Sequence, residues 1–213
     1  FNNNAMLNCG FASAVDSIMA VKEFVFDKKE ISLTEFAKVL KNNWQGYELL
    51  QAKVKKSPHK YGNNDTVADT YASAMASYFA NKVNNVPNGR GGVYQAIMPS
   101  ARAFVIQGEK TGALPDGRNA GEELSKNASA VPGVDKNGIT ALIESATKLS
   151  PSDYHESFCL DVMLHPSAVT GEEGLKVLKG VLMTYLKKGG QSIQFNIFNT
   201  DTLRDAQKNP EKY

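Results

Sequence analysis

The side chains with the most chemical reach in this 213-residue chain are two cysteines, three histidines and a pair of amides near the end. Cys9 lies shortly before an apolar-periodic stretch, AVDSIMAVKEF, and Cys159 lies inside another, FCLDVML. A cysteine in such company reads as a small buried hydrophobe. His59, His155 and His165 are scattered, without metal-ligand spacing, so neither a metal site nor a histidine base is expected. In SIQFNIF, Gln194 and Asn196 share one face and Ile193, Phe195 and Ile197 the other. If both faces are buried, each amide must find partners or cost roughly 1–3 kcal/mol; the competing reading is an exposed edge strand. Ser57-Pro58-His59-Lys60, Tyr61-Gly62-Asn63 and Lys110-Thr111-Gly112 imitate the motifs of a serine β-lactam-binding enzyme. The nucleophile of such an enzyme opens a helix, however, whereas Pro58 to Asn64 reads as loop, so that match is chance.

These residues hang on a regular series of elements. Ala14, Ile18, Val21 and Val25 fall near helical spacing. Ser32 and Glu35 form an S-x-x-E capping box with Ile31 and Phe36 at the staple positions, and Leu33, Phe36, Leu40 and Trp44 follow as a stripe that Gly46 ends. A polar loop then runs to Asn63-Asn64-Asp65, where Asp65 caps a helix carrying Val67, Tyr71, Ala74, Met75 and Phe79. Val93 to Ser100 and Ala103 to Gln107 read as short buried strands. Phe158 to Leu164 and Ser192 to Phe198 read as further strands, joined by a helix with Thr170 and Glu173 in capping-box positions and Leu175, Leu178, Leu182 and Tyr185 on its face. Asn199 or Thr200 caps a last helix. Strand, helix, strand, helix in this rhythm implies an α/β fold of parallel strands with right-handed crossovers. Between these halves lies a long glycine-punctuated loop, Gly108 to Leu142, whose Leu114, Leu124, Val131 and Val134 imply that it packs across an end of the fold. Asp116 and Arg118 of its PDGR turn are expected to pair or to fix that loop.

Composition narrows the class. Apolar residues make up 42% of the chain and charged ones 22%, as in soluble globular domains, and the net charge of +2 gives no footprint for nucleic acid or membrane. The one basic run, Lys53 to Lys60, reads as a solvated loop. Two cysteines make no disulfide framework and suit a reducing cytoplasm. No apolar run approaches the ~20 residues of a membrane span. Residues 1–213 read as one unit, and the start at Phe1 in mid-pattern suggests a chain that begins inside a longer protein.

Three ordered stretches carry a family resemblance: CGFASAVDSIMAVKEFVF, then TGALPDGRNAGE with PGVDKNGITAL, then GGQSIQFNIFNTDTLRDAQKNPEKY. Together they resemble the glycyl radical enzymes, the family of pyruvate formate-lyase and its dehydratase and lyase relatives. The resemblance implies part of a ten-stranded α/β barrel with outer helices: the later half, beginning after the cysteine loop and stopping before the glycine loop. It implies a pyruvate formate-lyase-type enzyme, nominally a formate C-acetyltransferase, with a dehydratase or C–N lyase of a small diol, hydroxy acid or amine, or a non-catalytic half-barrel, as alternatives. It also implies a glycyl radical installed by a radical-SAM activase, a small-molecule substrate, a homodimer and no cofactor bound by this segment itself. Within the chain it marks Ile97, Met98 and Ser100 as substrate-facing and Gln194 and Asn196 as support for the glycine loop. No residue of the chain, Cys9 included, is assigned as catalytic.

Overall fold

In this computed structural model, which describes residues 2–212, four short strands run parallel in chain order. β1 (Asn4–Leu7) pairs with β2 (Tyr94–Ile97), and β3 (Cys159–Leu164) pairs with β4 (Ser192–Ile197), both parallel. A parallel bridge from Met98 to Phe158 joins the pairs into one layer: Met98 N donates to Ser157 O at 2.8 Å and Cys159 N to Met98 O at 3.0 Å. The crossover from β3 to β4 is α7 (Gly171–Lys187), as the strand-helix-strand rhythm requires. β1 escapes a reading of the sequence because its NAML stretch is only four residues long and lacks β-branched residues.

Helices cover one face of the layer. α1 (Phe11–Ala20) continues into a π-helical turn over Val21–Asp27 and buries Phe11, Ala12, Val15 and Met19. Ile18, expected inside, is exposed. α4 (Thr66–Val83) starts from the expected cap, with Ala68 N donating to Asp65 Oδ1 at 2.8 Å. Its buried stripe is not Val67 and Tyr71, which are exposed, but Ala68, Ala72, Ala76 and Ala80. Four alanines at i, i+4 spacing let this helix lie close against α1 and β2, with Met75 and Phe79 flanking the seam. Around it, Tyr61, Tyr154, Phe158, Leu160, Val162 and Tyr185 close the main core with α6 (Gly138–Thr147) and α7.

A second, smaller core forms around Phe24, Phe36, Val39, Trp44 and Val54. It lies under α2 (Leu33–Lys41), capped by Ser32 Oγ accepting from Glu35 N at 3.1 Å; Leu33 itself is exposed. The stretch read as polar loop contains α3 (Glu48–Lys55), whose Leu49, Leu50, Ala52 and Val54 give only a weak helical period. Lys60, read as part of a solvated basic run, is 4% exposed, because it has carboxylate company described below. Ala103–Gln107, expected as strand, is the body of α5 (Ala103–Glu109): Val105 N and Ile106 N both donate to Arg102 O. Periodicity cannot separate strand from helix in so short an apolar run. At Thr170 the hydroxyl donates back to Pro166 O at 2.7 Å instead of capping α7, so that capping box is not formed. Asn199 does cap the last helix, α8 (Thr200–Lys208), accepting from Thr202 N at 2.7 Å.

The long loop packs as expected, and Arg118 is its clasp. The guanidinium donates to five carbonyls of the loop and its preceding helix: Gly108 (2.7 Å), Thr111 (3.3 Å), Gly112 (2.7 Å), Glu123 (3.1 Å) and, closest, Glu122. Asp116 Oδ1 accepts from Arg118 N at 3.0 Å, and Gly117 supplies the left-handed corner at φ +100°. From outside, Trp44 Nε1 reaches Arg118 O and Gln51 Nε2 reaches Gly117 O.

Candidate functional site

Strand alternation sorts side chains onto two faces. Ala96, Met98, Phe158, Leu160 and Val162 point into the core beneath the helices. Ile97, Cys159, Asp161, Met163, Gln194 and Asn196 belong to the opposite face, which the long loop and Phe104 of α5 cover only in part. Ile97 is nearly buried there, while Met163 is 68% exposed. Ile97 and Met98 therefore cannot line one wall together. The five residues marked from the sequence divide accordingly: Met98 supports the layer from below, and the other four lie on its open side or rim.

Three of those four meet. Ser100 Oγ donates to Gln194 Oε1 at 3.3 Å, and Gln194 Nε2 donates to Asn196 Oδ1 at 3.1 Å. β4 is the edge of the described layer, so Gln194 is exposed and Asn196 half-buried, and the row of amides faces open space.

Beside this row is a cluster that the sequence reading did not single out. Asp161, in register with Gln194, is 7% exposed. Its Oδ1 accepts from Asn127 Nδ2 at 2.9 Å and its Oδ2 lies 2.7 Å from Lys126 Nζ. Ser129 Oγ accepts from Asp161 N at 2.8 Å and donates to Asn127 Oδ1 at 2.6 Å. The Lys126 ammonium also sits 5.8 Å from the centre of the Phe104 ring. A cavity of about 480 Å³ opens between the loop and the layer, with Phe104, Lys126, Asp161, Met163 and Asn196 in its lining. The signal was present in FCLDVML: one carboxylate in an otherwise apolar strand cannot be buried without a partner. The partners came from the SKNAS segment of the loop, which sequence spacing does not connect to it.

Neither cysteine is activated. Burial pushes both thiols above their ordinary pKa; Cys9 precedes α1 and Cys159 donates weakly to Asp161 Oδ1 at 3.6 Å. Among the described residues, no three His, Cys, Asp or Glu side chains are grouped to hold a metal ion, and no helix is long and apolar enough to cross a membrane.

Two family models match this architecture. "Pyruvate formate lyase-like" covers residues 1–108, and "Glycine radical" covers residues 124–213. The chain belongs to the glycyl radical enzyme family. It is 34% identical to trans-4-hydroxy-L-proline dehydratase of Clostridioides difficile over all of this chain and 27% of that protein. It is also 34% identical to (2S)-3-sulfopropanediol dehydratase of Klebsiella oxytoca, over 100% of this chain and 26% of that one. The glycerol-bound B12-independent glycerol dehydratase of Clostridium butyricum superposes with a TM-score of 0.91 at 36% identity, again over the whole chain and 27% of that structure. The chain thus spans about a quarter of the length of these relatives, and its parallel layer is part of a glycyl radical enzyme barrel.

Proposed function

We propose that this chain is part of a glycyl radical dehydratase or related lyase acting on a small hydroxylated substrate, and that its open face is a wall of the reaction cavity. The observation that carries the reaction class is the end-to-end similarity to proteins named as dehydratases. On that ground the nominal reading of a formate C-acetyltransferase gives way to the dehydratase alternative. A glycyl radical, installed by a radical-SAM activase, would supply the hydrogen-atom abstraction that such a reaction needs. The residues of this chain bind and orient. Ile97 gives the wall an apolar surface, which suits a cavity that must exclude stray hydrogen donors. Ser100 offers an oriented hydrogen bond to a substrate hydroxyl. Gln194 and Asn196 hold the backbone of the segment that carries the radical, replacing bonds they now make to each other. Met98 keeps the β2–β3 junction rigid beneath them. Neither Cys9 nor Cys159 relays the radical, and the enzyme works as a cytoplasmic homodimer.

The test is product analysis. The protein at its natural length, activated anaerobically with S-adenosylmethionine and an activase, should convert a small vicinal diol or hydroxy acid with loss of water. Pyruvate with coenzyme A should yield no acetyl-coenzyme A. Acetyl-coenzyme A as the product, with diols and hydroxy acids untouched, would restore the acyltransferase reading.

A further inference from the structure

Away from the open face, three charged side chains converge on a cavity of about 540 Å³. Asp16 comes from α1 and is 1% exposed, Lys60 from the segment before α4 at 4%, and Asp116 from the PDGR turn at 7%. Asp16 Oδ1 accepts from Tyr61 N at 2.9 Å and Asp116 Oδ1 from Arg118 N at 3.0 Å. The second oxygen of each carboxylate is buried without a hydrogen-bond partner. Lys60 Nζ donates to Asp116 O at 3.3 Å and lies 3.9 Å from Asp16 Oδ2, too far for a hydrogen bond. An ammonium has three N–H donors, so donors and acceptors are both left over on the same cavity floor. Buried polar groups of this kind normally have partners.

The space is far larger than the ~30 Å³ share of one water and falls in the range of small-molecule sites. Its mouth is ringed by Lys55, Lys56 and Lys136, exposed cations that make no ion pair among the described residues, and by the exposed carboxylates of Glu122, which accepts from Asn119, and Glu123. Pro132 and Gly133 line both this cavity and the open-face one, standing between them.

We infer that this cavity is a second binding site, for a small organic anion that also carries hydroxyl groups. Its hydroxyls donate to the free oxygens of Asp16 and Asp116 and accept from Lys60, while its anionic end meets the lysines at the mouth. Neither half of the chemistry suffices alone: a bare anion would meet the floor carboxylates, and a neutral polyol would leave the lysines unused. The site does not depend on which reaction the open face serves.

Calorimetric titration of the natural-length protein separates these contributions with three probes: glycerol 3-phosphate, glycerol and inorganic phosphate. Glycerol 3-phosphate should bind saturably, and tighter than either of the others by roughly tenfold or more. Lys56→Ala with Lys136→Ala should weaken glycerol 3-phosphate by about that factor and leave the melting temperature unchanged, because both side chains are exposed. Asp116→Asn should weaken glycerol 3-phosphate and leave phosphate alone. No saturable binding of glycerol 3-phosphate up to about 10 mM, or equal binding by the wild type and the double lysine variant, overturns the proposal.

Discussion

At the scale of single residues, Asp16 shows burial and charge in opposition. Burial, only partly countered by Lys60 and the Tyr61 amide, pushes its carboxyl up to about 7. The unfolded carboxyl titrates near 3.9, so between about pH 4 and pH 7 the folded state holds a proton that the unfolded state has lost. Stability contributed by this residue therefore falls as pH rises through that window and is level above it, a loss of a few kcal/mol at most. Asp16→Asn removes the titration. In urea denaturation the variant should gain stability relative to wild type as pH rises from about 4 to about 7; a pH-independent difference would show that Asp16 is ionised throughout. The residue scale is also where a sequence reads worst. Lys60 looked like one more cation in a solvated run, and Asp161 drew no reading beyond its place in a strand. Each is explained only by a carboxylate, amide or lysine that the fold brings from far along the chain. Arg118 was legible because the PDGR turn places it inside its own loop.

At the scale of elements, α4 depends on the smallness of one stripe. Ala76 is fully buried in the main core, and Tyr154 donates to its carbonyl at 3.1 Å. Ala76→Leu should destabilise by about 1–3 kcal/mol through overpacking, whereas Ala74→Leu, exposed on the same helix, should stay within about 0.5 kcal/mol. Chemical denaturation of the two variants side by side checks this; equal midpoints would mean the seam is loose. The same stripe explains why the helix was legible in the sequence but its buried face was not. Hydrophobicity points to Val67 and Tyr71, while close packing selects alanine. β3, α7 and β4 were legible because their apolar runs have strand length and bracket a long helical period. α5 was not, since its short run of Phe104, Val105 and Ile106 satisfies either period. α3 was missed because Leu49, Leu50, Ala52 and Val54 form no clear helical stripe.

At the scale of the whole molecule, helices close one side of the parallel layer, and the other carries exposed Ser100 and Gln194, half-buried Asn196 and, under the loop, buried Asp161. Three ordered stretches made the family legible, and both family models bear that out. The reaction was not legible, because composition and strand pattern report the barrel and not the chemistry it encloses. Relatives named as dehydratases tip that balance. We propose that this chain serves a glycyl radical enzyme whose reaction cavity includes the open face. The most direct test is electron paramagnetic resonance of the natural-length protein after anaerobic incubation with a radical-SAM activase and S-adenosylmethionine, on wild type and on the Gln194→Ala, Asn196→Ala double variant. The account predicts a glycine-centred doublet in the wild type and a weaker or shorter-lived one in the variant at unchanged melting temperature. No doublet in the wild type while the activase cleaves S-adenosylmethionine, or the same doublet with the same lifetime in both proteins, would contradict it.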